Sequence, residues 1–242
     1  MTKILIGIQA RTNSKRLPNK VLLEICGKRL IDFIINEAQE AASFINRQSK
    51  REGWPADCVV GLLVPTHDKM LRSLYEKKLL TIHHDVEDDV LTRYEKAVDE
   101  TGCDHVVRLT ADCLFMESNV ISRHIKTQLK KETDYASNVI QRTMPEGHDV
   151  EVISRRCLEH IETLAKTKSD REHVTIALTE DIRKNDSWYK ANMPVAHVLN
   201  KTNTSFLKLS IDTEEEFERA RNNLESIQKA KQESLRSGLY VI

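Results

Sequence analysis

The stretch KILIGIQARTNSKRLPNK, Lys3 to Lys20, decides the fold. Its first part, KILIGIQA (3–10), is a near-continuous apolar run, the pattern of a strand buried on both faces of a parallel sheet. Its second part carries four cations, Arg11, Lys15, Arg16 and Lys20, and no acid. Two readings are open for such a turn: a loop that holds a polyphosphate, or a solvated basic loop. Because the 242-residue chain balances 37 Lys and Arg against 37 Asp and Glu, the cluster is a local feature.

Further along, apolar runs alternate with helical patterns. Leu30, Ile34, Ala38, Ala41 and Ile45 share one helical face within Arg29 to Ile45. NRQSKREGWPAD (46–57) is polar and reads as an exposed loop. CVVGLLVP (58–65) predicts the next strand, and DKMLRSLYEKK (68–78) a short helix begun by Asp68. DDVLTRYEKAVDETG (88–102) predicts a helix stopped by Gly102. HVVRLT (105–110) predicts a third core strand, followed by the turn ADC and a helix over roughly 118–131. Three β-then-α units argue for a doubly wound, mostly parallel sheet flanked by helices. Beyond residue 134 the pattern loosens, with expected strands at 134–140, 148–153, 193–199 and 206–211 and helices at 154–166 and 169–183. A long closing helix spans 213–237, and Thr213 with Glu216 fits a capping box. No repeat or clear linker interrupts the chain, so one domain over 1–242 is expected.

The balanced charge argues against general nucleic-acid or membrane binding, which needs a basic excess. The opening apolar run is too short for a signal peptide, and no later run reaches the length of a membrane span. Five scattered cysteines without C-x-x-C imply reduced thiols, hence a cytoplasmic protein with neither a disulfide framework nor a zinc site.

In open parallel sheets the ligand crevice lies beyond the carboxyl ends of the strands. There this sequence places the basic loop, Asp112 after strand 105–110, and Asp212 after 206–211. Singly, each aspartate reads as a turn or helix-start residue. Together with the basic loop they suit a nucleoside triphosphate and its Mg²⁺, which takes one or two carboxylates plus phosphate oxygens. Arginine forks match phosphate oxygens, and lysine adds a compact charge. The loop has no G-x-x-x-x-G-K, and no G-x-G-x-x-G follows the first strand, so kinase and dehydrogenase readings lose support.

These residues resemble a family. Ala10, Arg11, Ser14, Arg16, Leu17, Pro18 and Lys20 fit the pattern A-R-x-x-S-x-R-L-P-x-K of the cytidylyltransferases that activate acidic sugars. Within that superfamily the chain is most similar to the branch typified by spore coat polysaccharide biosynthesis protein F. It shares, in collinear order, EDDVLTRYEKA (87–97), VRLTADCLF (107–115), SNVIQRTMPEGHDVEV (137–152), DREHVT (170–175) and LSIDTEEEFE (209–218).

The resemblance implies a glycosyltransferase-A-like, Rossmann-like nucleotidyltransferase fold with a small β-containing arm near 134–200 for the acceptor or a homodimer contact. It implies CTP as cosubstrate and Mg²⁺ as cofactor, with the metal on Asp112 and Asp212. Ala10, Arg11, Ser14, Arg16 and Lys20 match the triphosphate grip. Arg11, Arg16 and Lys20 would stabilise departing pyrophosphate, and Arg93 and Arg108 would reach nucleotide or substrate. Asn138, Gly147, Asp149, Glu151, Arg171, Glu172 and His173 match stretches on the acceptor side, where a scaffold role is equally open. Leu114, Arg29 and Thr92 depart from the pattern, pointing to a divergent member with its own small anionic acceptor. The implied reaction is in-line attack of an acceptor oxygen on the α-phosphate of CTP. Two alternatives stand beside it: another nucleotidyltransferase using a phosphorylated or phosphonate acceptor or another base, and a non-catalytic nucleotide-binding subunit. HHD (83–85) reads as a solvated edge rather than a metal site, and Cys113 as a buried thiol rather than a nucleophile.

Overall fold

The computed structural model describes residues 1–54 and 56–237, with the side chains of the last helix described up to residue 226. The opening apolar run forms β1 (Thr2–Gln9), buried without a break from Ile4 to Ile8. Full burial of each such aliphatic side chain contributes about 1.5–3 kcal/mol, which places this strand at the centre of the molecule. A small hairpin, β2 (Glu24–Ile25) and β3 (Lys28–Arg29), leads into α1 (Leu30–Glu52). Then follow β4 (Ala56–Pro65), α2 (Lys69–Tyr75), β5 (Leu80–His84), α3 (Val90–Thr101), β6 (His105–Thr110) and α4 (Ser118–Lys131). The chain continues through β7 (Tyr135–Ser137), β8 (Glu151–Ser154), α5 (Arg155–Leu164), α6 (Lys168–His173), α7 (Ile176–Lys184), α8 (Asp186–Asn192), β9 (Val195–His197) and α9 (Glu214–Ser237).

Seven strands make one sheet in the order β5-β4-β1-β6-β8-β7-β9. β8 alone runs against the others, pairing antiparallel with both β6 and β7. Two helical layers cover the faces. On one, α1 and α4 pack through Ile31, Ile34, Ala38, Ile121 and Ile125. On the other, α3, α5 and α7 bring Leu91, Tyr94, Leu158 and Leu178 against Leu5, Leu63 and Val106. Strand order reverses between β4 and β6 around β1, so the crevice opens at the carboxyl ends of β1 and β6.

Four local expectations are corrected. The segment 46–57 is not a loop from its start, because α1 runs on to Glu52 and stops at Gly53 in the left-handed region (φ 74°). Its polar residues are helix formers, and two are held from inside: Ser49 is buried, and the Asn46 amide both donates to and accepts from the Cys58 backbone. The helix expected over 169–183 is two helices, α6 and α7, broken at Val174. The strand expected at 206–211 is an extended segment with a single bridge, Glu146 to Lys208. The strands near 134–140, 148–153 and 193–199 shorten to β7, β8 and β9, all within the same sheet. Asp68 and Thr213 do cap their helices as expected, and Phe217, Ala220 and Leu224 line the buried stripe of α9.

Candidate active site

The loop after β1 is anchored at its start, at Ala10 and Thr12. Ala10 N donates to Leu63 O at the end of β4. Thr12 donates from both N and Oγ1 to Asp68 Oδ2, at 2.7 and 2.9 Å. Asp68 also accepts from Leu71 N as the cap of α2, so one carboxylate fixes a helix end and the basic loop together. The sequence signals only the cap; the second role depends on β4 lying beside β1.

Lys20 is the centre of the site. Its Nζ donates to Asp112 Oδ2 at 2.7 Å, to Asp212 Oδ1 at 3.0 Å and to the Ile211 carbonyl at 3.0 Å. Arg16 reaches the same Asp212 oxygen at 2.9 Å, and Lys208 stands 3.5 Å from the other. Burial alone would lower the Lys20 pKa, but Asp112 and then Asp212 outweigh it and hold the ammonium above its ordinary value. Burial alone would raise Asp212, and Lys20, Arg16 and Lys208 together hold it below the usual carboxylate range. Asp212 is presented by the start of α9, where Glu216 accepts from Asp212 N and Thr213 N.

Arg11 turns toward α3 and α6, with Nη1 on Asp88 at 2.7 Å and Nη2 on Glu172 at 2.9 Å. Arg108 donates to Glu151 at 2.5 Å, and Glu151 also accepts from Tyr135. Arg93 donates to the carbonyls of Val86 and Glu87. A cleft of about 560 Å³ brings together Gln9, Ala10, Arg11, Ser14, Arg16, Lys20, Arg93, Arg108, Asp112, Asp212, Glu172 and His173. That size suits a small-molecule site. A larger depression of about 780 Å³ between α1 and α4 has no unpartnered buried polar atom in its lining, whereas the cleft has three.

The other acceptor-side residues lie in scaffold bonds. Asn138 accepts from Val150 N and donates to His148 O, and Asp149 is forked by Arg142. Glu151 is 1% exposed beneath Arg108. Gly147, at φ 99°, lets the chain pass Ser210, because a Cβ there would stand 2.6 Å from Ser210 N. Arg171 holds α6 against α3 through Asp89 and Thr92 and against α5 through Glu162, so Thr92 has a contact of its own here. Cys113 is a buried thiol raised well above its ordinary pKa by burial and then by Asp112. No group of three or more metal-ligating side chains occurs among the described residues, at HHD or elsewhere.

The sequence matches the family model described as Cytidylyltransferase over residues 5–238. Spore coat polysaccharide biosynthesis protein SpsF of Bacillus subtilis is 26% identical over 223 residues, covering 90% of this chain and 85% of that protein. A cytidylyltransferase structure from Leptospira borgpetersenii superposes with a TM-score of 0.73 at 25% identity, over 91% of this chain and 86% of that one. A CMP:2-keto-3-deoxy-manno-octonic acid synthetase structure, complexed with CTP, superposes with a TM-score of 0.63 at 15% identity, over 93% and 99%. At that identity the likeness is one of fold.

Proposed function

Since the chain belongs to the cytidylyltransferase family of nucleotidyltransferases, we propose that it transfers CMP from CTP to an acidic sugar or related anionic acceptor. The observation that carries this reading is the three-way contact of Lys20 with Asp112, Asp212 and the Ile211 carbonyl, beside the loop that bears Arg11 and Arg16. Three oxygens already converge on one positive centre, so the donor set suits a hard divalent cation such as Mg²⁺. Asp112 and Asp212 would hold it, and when bound it would neutralise phosphate charge and polarise the α-phosphate.

The chain's own residues do the remaining work. Ser14, Arg16 and Lys20 grip the triphosphate and orient its α-phosphorus toward the acceptor. An acceptor oxygen forms the new bond to that phosphorus, the bond to the β-bridging oxygen breaks, and pyrophosphate leaves. Lys20 and Arg16 stabilise the charge that develops on it. Glu172 and His173 line the cleft near Arg11 and would meet the acceptor there.

The name of the Bacillus subtilis relative supports a place in surface polysaccharide biosynthesis. The reading includes a single domain, with residues 134–200 as its dimer arm, and a homodimer in the cytoplasm. The five cysteines are free, and no described helix is long and apolar enough to cross a membrane. The test is titration calorimetry with CTP, GTP and UTP plus Mg²⁺, followed by pyrophosphate release over a panel of sugar acids, sugar phosphates and phosphonates. Preferential CTP binding with acceptor-dependent release is expected. Equal binding of the three nucleotides ends the cytidylyl assignment, and binding without release under any acceptor leaves a non-catalytic binder.

A further inference from the structure

Arg93 differs from the other arginines of the cleft. It lies on the first turn of α3 and is 2% exposed. Arg11 faces Asp88 and Glu172, Arg108 faces Glu151, and Arg16 and Lys20 share Asp212. Arg93 meets two backbone carbonyls through Nη1 and, among the described residues, no carboxylate. Burial lowers its pKa, yet an arginine cannot discharge at ordinary pH, so a full positive charge stays buried with Asp89 and Glu87 acting on it only from beyond contact. Such a charge is costly unless something pairs with it.

Three residues that line the same cleft each carry a buried polar atom without a partner: Nε of Arg93, Nε of Arg108 and Oε1 of Gln9. Register explains their meeting. Gly7 of β1 pairs with Arg108 of β6, and Gln9, two residues on, pairs with Thr110. Side chains alternate along a strand, so Gln9 and Arg108 share one face of the sheet. That face is the one toward α3, because a Cβ on Gly7 would meet the Tyr94 ring at 3.0 Å, and Tyr94 follows Arg93. Gly7 leaves room for the Tyr94 ring, and Tyr94 Oη donates to the Gly7 carbonyl.

We propose that Arg93, Arg108 and Gln9 form an anion subsite on the α3 side of the cleft, apart from the triphosphate loop, that takes the anionic group of the second substrate. The two guanidinium Nε–H groups donate to the anionic oxygens. Gln9 Oε1 accepts from a hydroxyl beside them, so the ligand class is a hydroxylated anion: a hydroxy acid or a sugar phosphate. This assignment rests on the CMP-transfer reading, and it moves Arg93 and Arg108 from the nucleotide to its acceptor.

The test reads the Nε–H resonance of Arg93 directly, in protein labelled with ¹⁵N at arginine. The peak is identified by its loss in Arg93→Lys, which keeps the charge but has no guanidinium. With a saturating non-cleavable CTP analogue and Mg²⁺ filling the loop, gluconate and inorganic phosphate are titrated as probes. Gluconate should shift the Arg93 peak saturably, and Gln9→Leu should weaken that response by roughly tenfold, the loss expected for one hydrogen bond to a ligand held by charge. Phosphate, which lacks the neighbouring carbon-bound hydroxyl, should respond more weakly than gluconate and change little in Gln9→Leu. If the peak moves with the CTP analogue and not with either anion, Arg93 belongs to the nucleotide grip and the proposal is overturned. A peak that moves with nothing makes the charge structural and overturns it equally. Calorimetry of the analogue in the same samples reports separately on the CTP reading, so the two can fail independently.

Discussion

Lys20 Nζ lies 2.7 Å from Asp112 Oδ2, joining residues 92 positions apart across the carboxyl ends of β1 and β6. The same ammonium is 3.0 Å from Asp212 Oδ1, so it holds together two carboxylates that would otherwise repel. On the proposed reaction Lys20 would exchange these acids for phosphate oxygens, leaving Asp112 and Asp212 to hold a divalent cation. Lys20→Met should therefore reduce pyrophosphate release by about 10²–10³-fold, as for other preorganised groups aimed at developing charge. CTP affinity should fall much less. A steady-state assay on a folded variant decides it, and a kcat within a few-fold of wild type would remove Lys20 from the reaction.

The ion pair also sets a pH window. Asp212 has its pKa depressed in the fold, so its contribution to stability is present above the unfolded value, about 4, and is lost as pH falls through the folded value. Lys20 has its pKa raised, so its contribution is present below about 10 and is lost as pH rises through the folded value. Asp212→Asn should lower the melting temperature at pH 7, and the gap to wild type should close as pH drops below 4. A gap that stays constant down to pH 2 would show that Asp212 contributes nothing through its charge.

The segment that leads to Asp212 is tied down beside one glycine. Glu146 N donates to Leu207 O and Leu209 N to Glu146 O, which ties the segment bearing Asp212 to the turn before β8. Gly147 sits in this turn at φ 99°, with Ser210 N and Leu209 C inside 3.0 Å of where a Cβ would be. Both neighbours are backbone and cannot swing away. Gly147→Ala should cost about 2–4 kcal/mol, combining left-handed strain with the steric shift. Activity should fall beyond the loss of folded protein, because Asp212 moves with the segment. Chemical denaturation alongside activity per folded molecule separates the two effects.

Much of this site was legible in the sequence because its signals are local. A strand-length apolar run followed by four cations places the loop, and the rule of carboxyl ends places Asp112, whereas Asp212 follows an extended segment with a single bridge rather than the strand expected there. The sequence does not disclose what depends on partners. Asn138, Glu151 and Arg171 lie in matching motifs, yet each is bound by neighbours from other elements. Gln9 ends an apolar strand as an ordinary polar residue, and only its register beside Thr110 and the missing partner for Oε1 give it a role. The 46–52 segment reads as loop because its polarity is visible, whereas the anchoring of Asn46 on Cys58 is not.

Val174 breaks α6 from α7 in a way that no periodicity announces. It is fully buried at φ 61°, ψ −63°, and Thr175 N donates to His173 O at 2.6 Å, closing a three-residue turn. A β-branched residue rarely adopts this conformation, and the strain costs about 1–3 kcal/mol. The turn ends α6 where Glu172 and His173 reach the cleft, so the strain is located at the site. Two substitutions separate strain from packing. Val174→Ala removes most of the buried side chain and keeps the strained backbone, for a loss of about 2–3 kcal/mol. Val174→Gly removes slightly more but relieves the strain, since glycine accepts positive φ. In an ordinary helix glycine is worse than alanine by about 1 kcal/mol. Here the order should invert, with Val174→Gly at least as stable as Val174→Ala in urea denaturation. The ordinary order would show that the turn carries no strain. With the inverted order, the glycine variant should also have a raised acceptor KM at near-normal CTP affinity, because a relaxed turn no longer fixes Glu172 and His173.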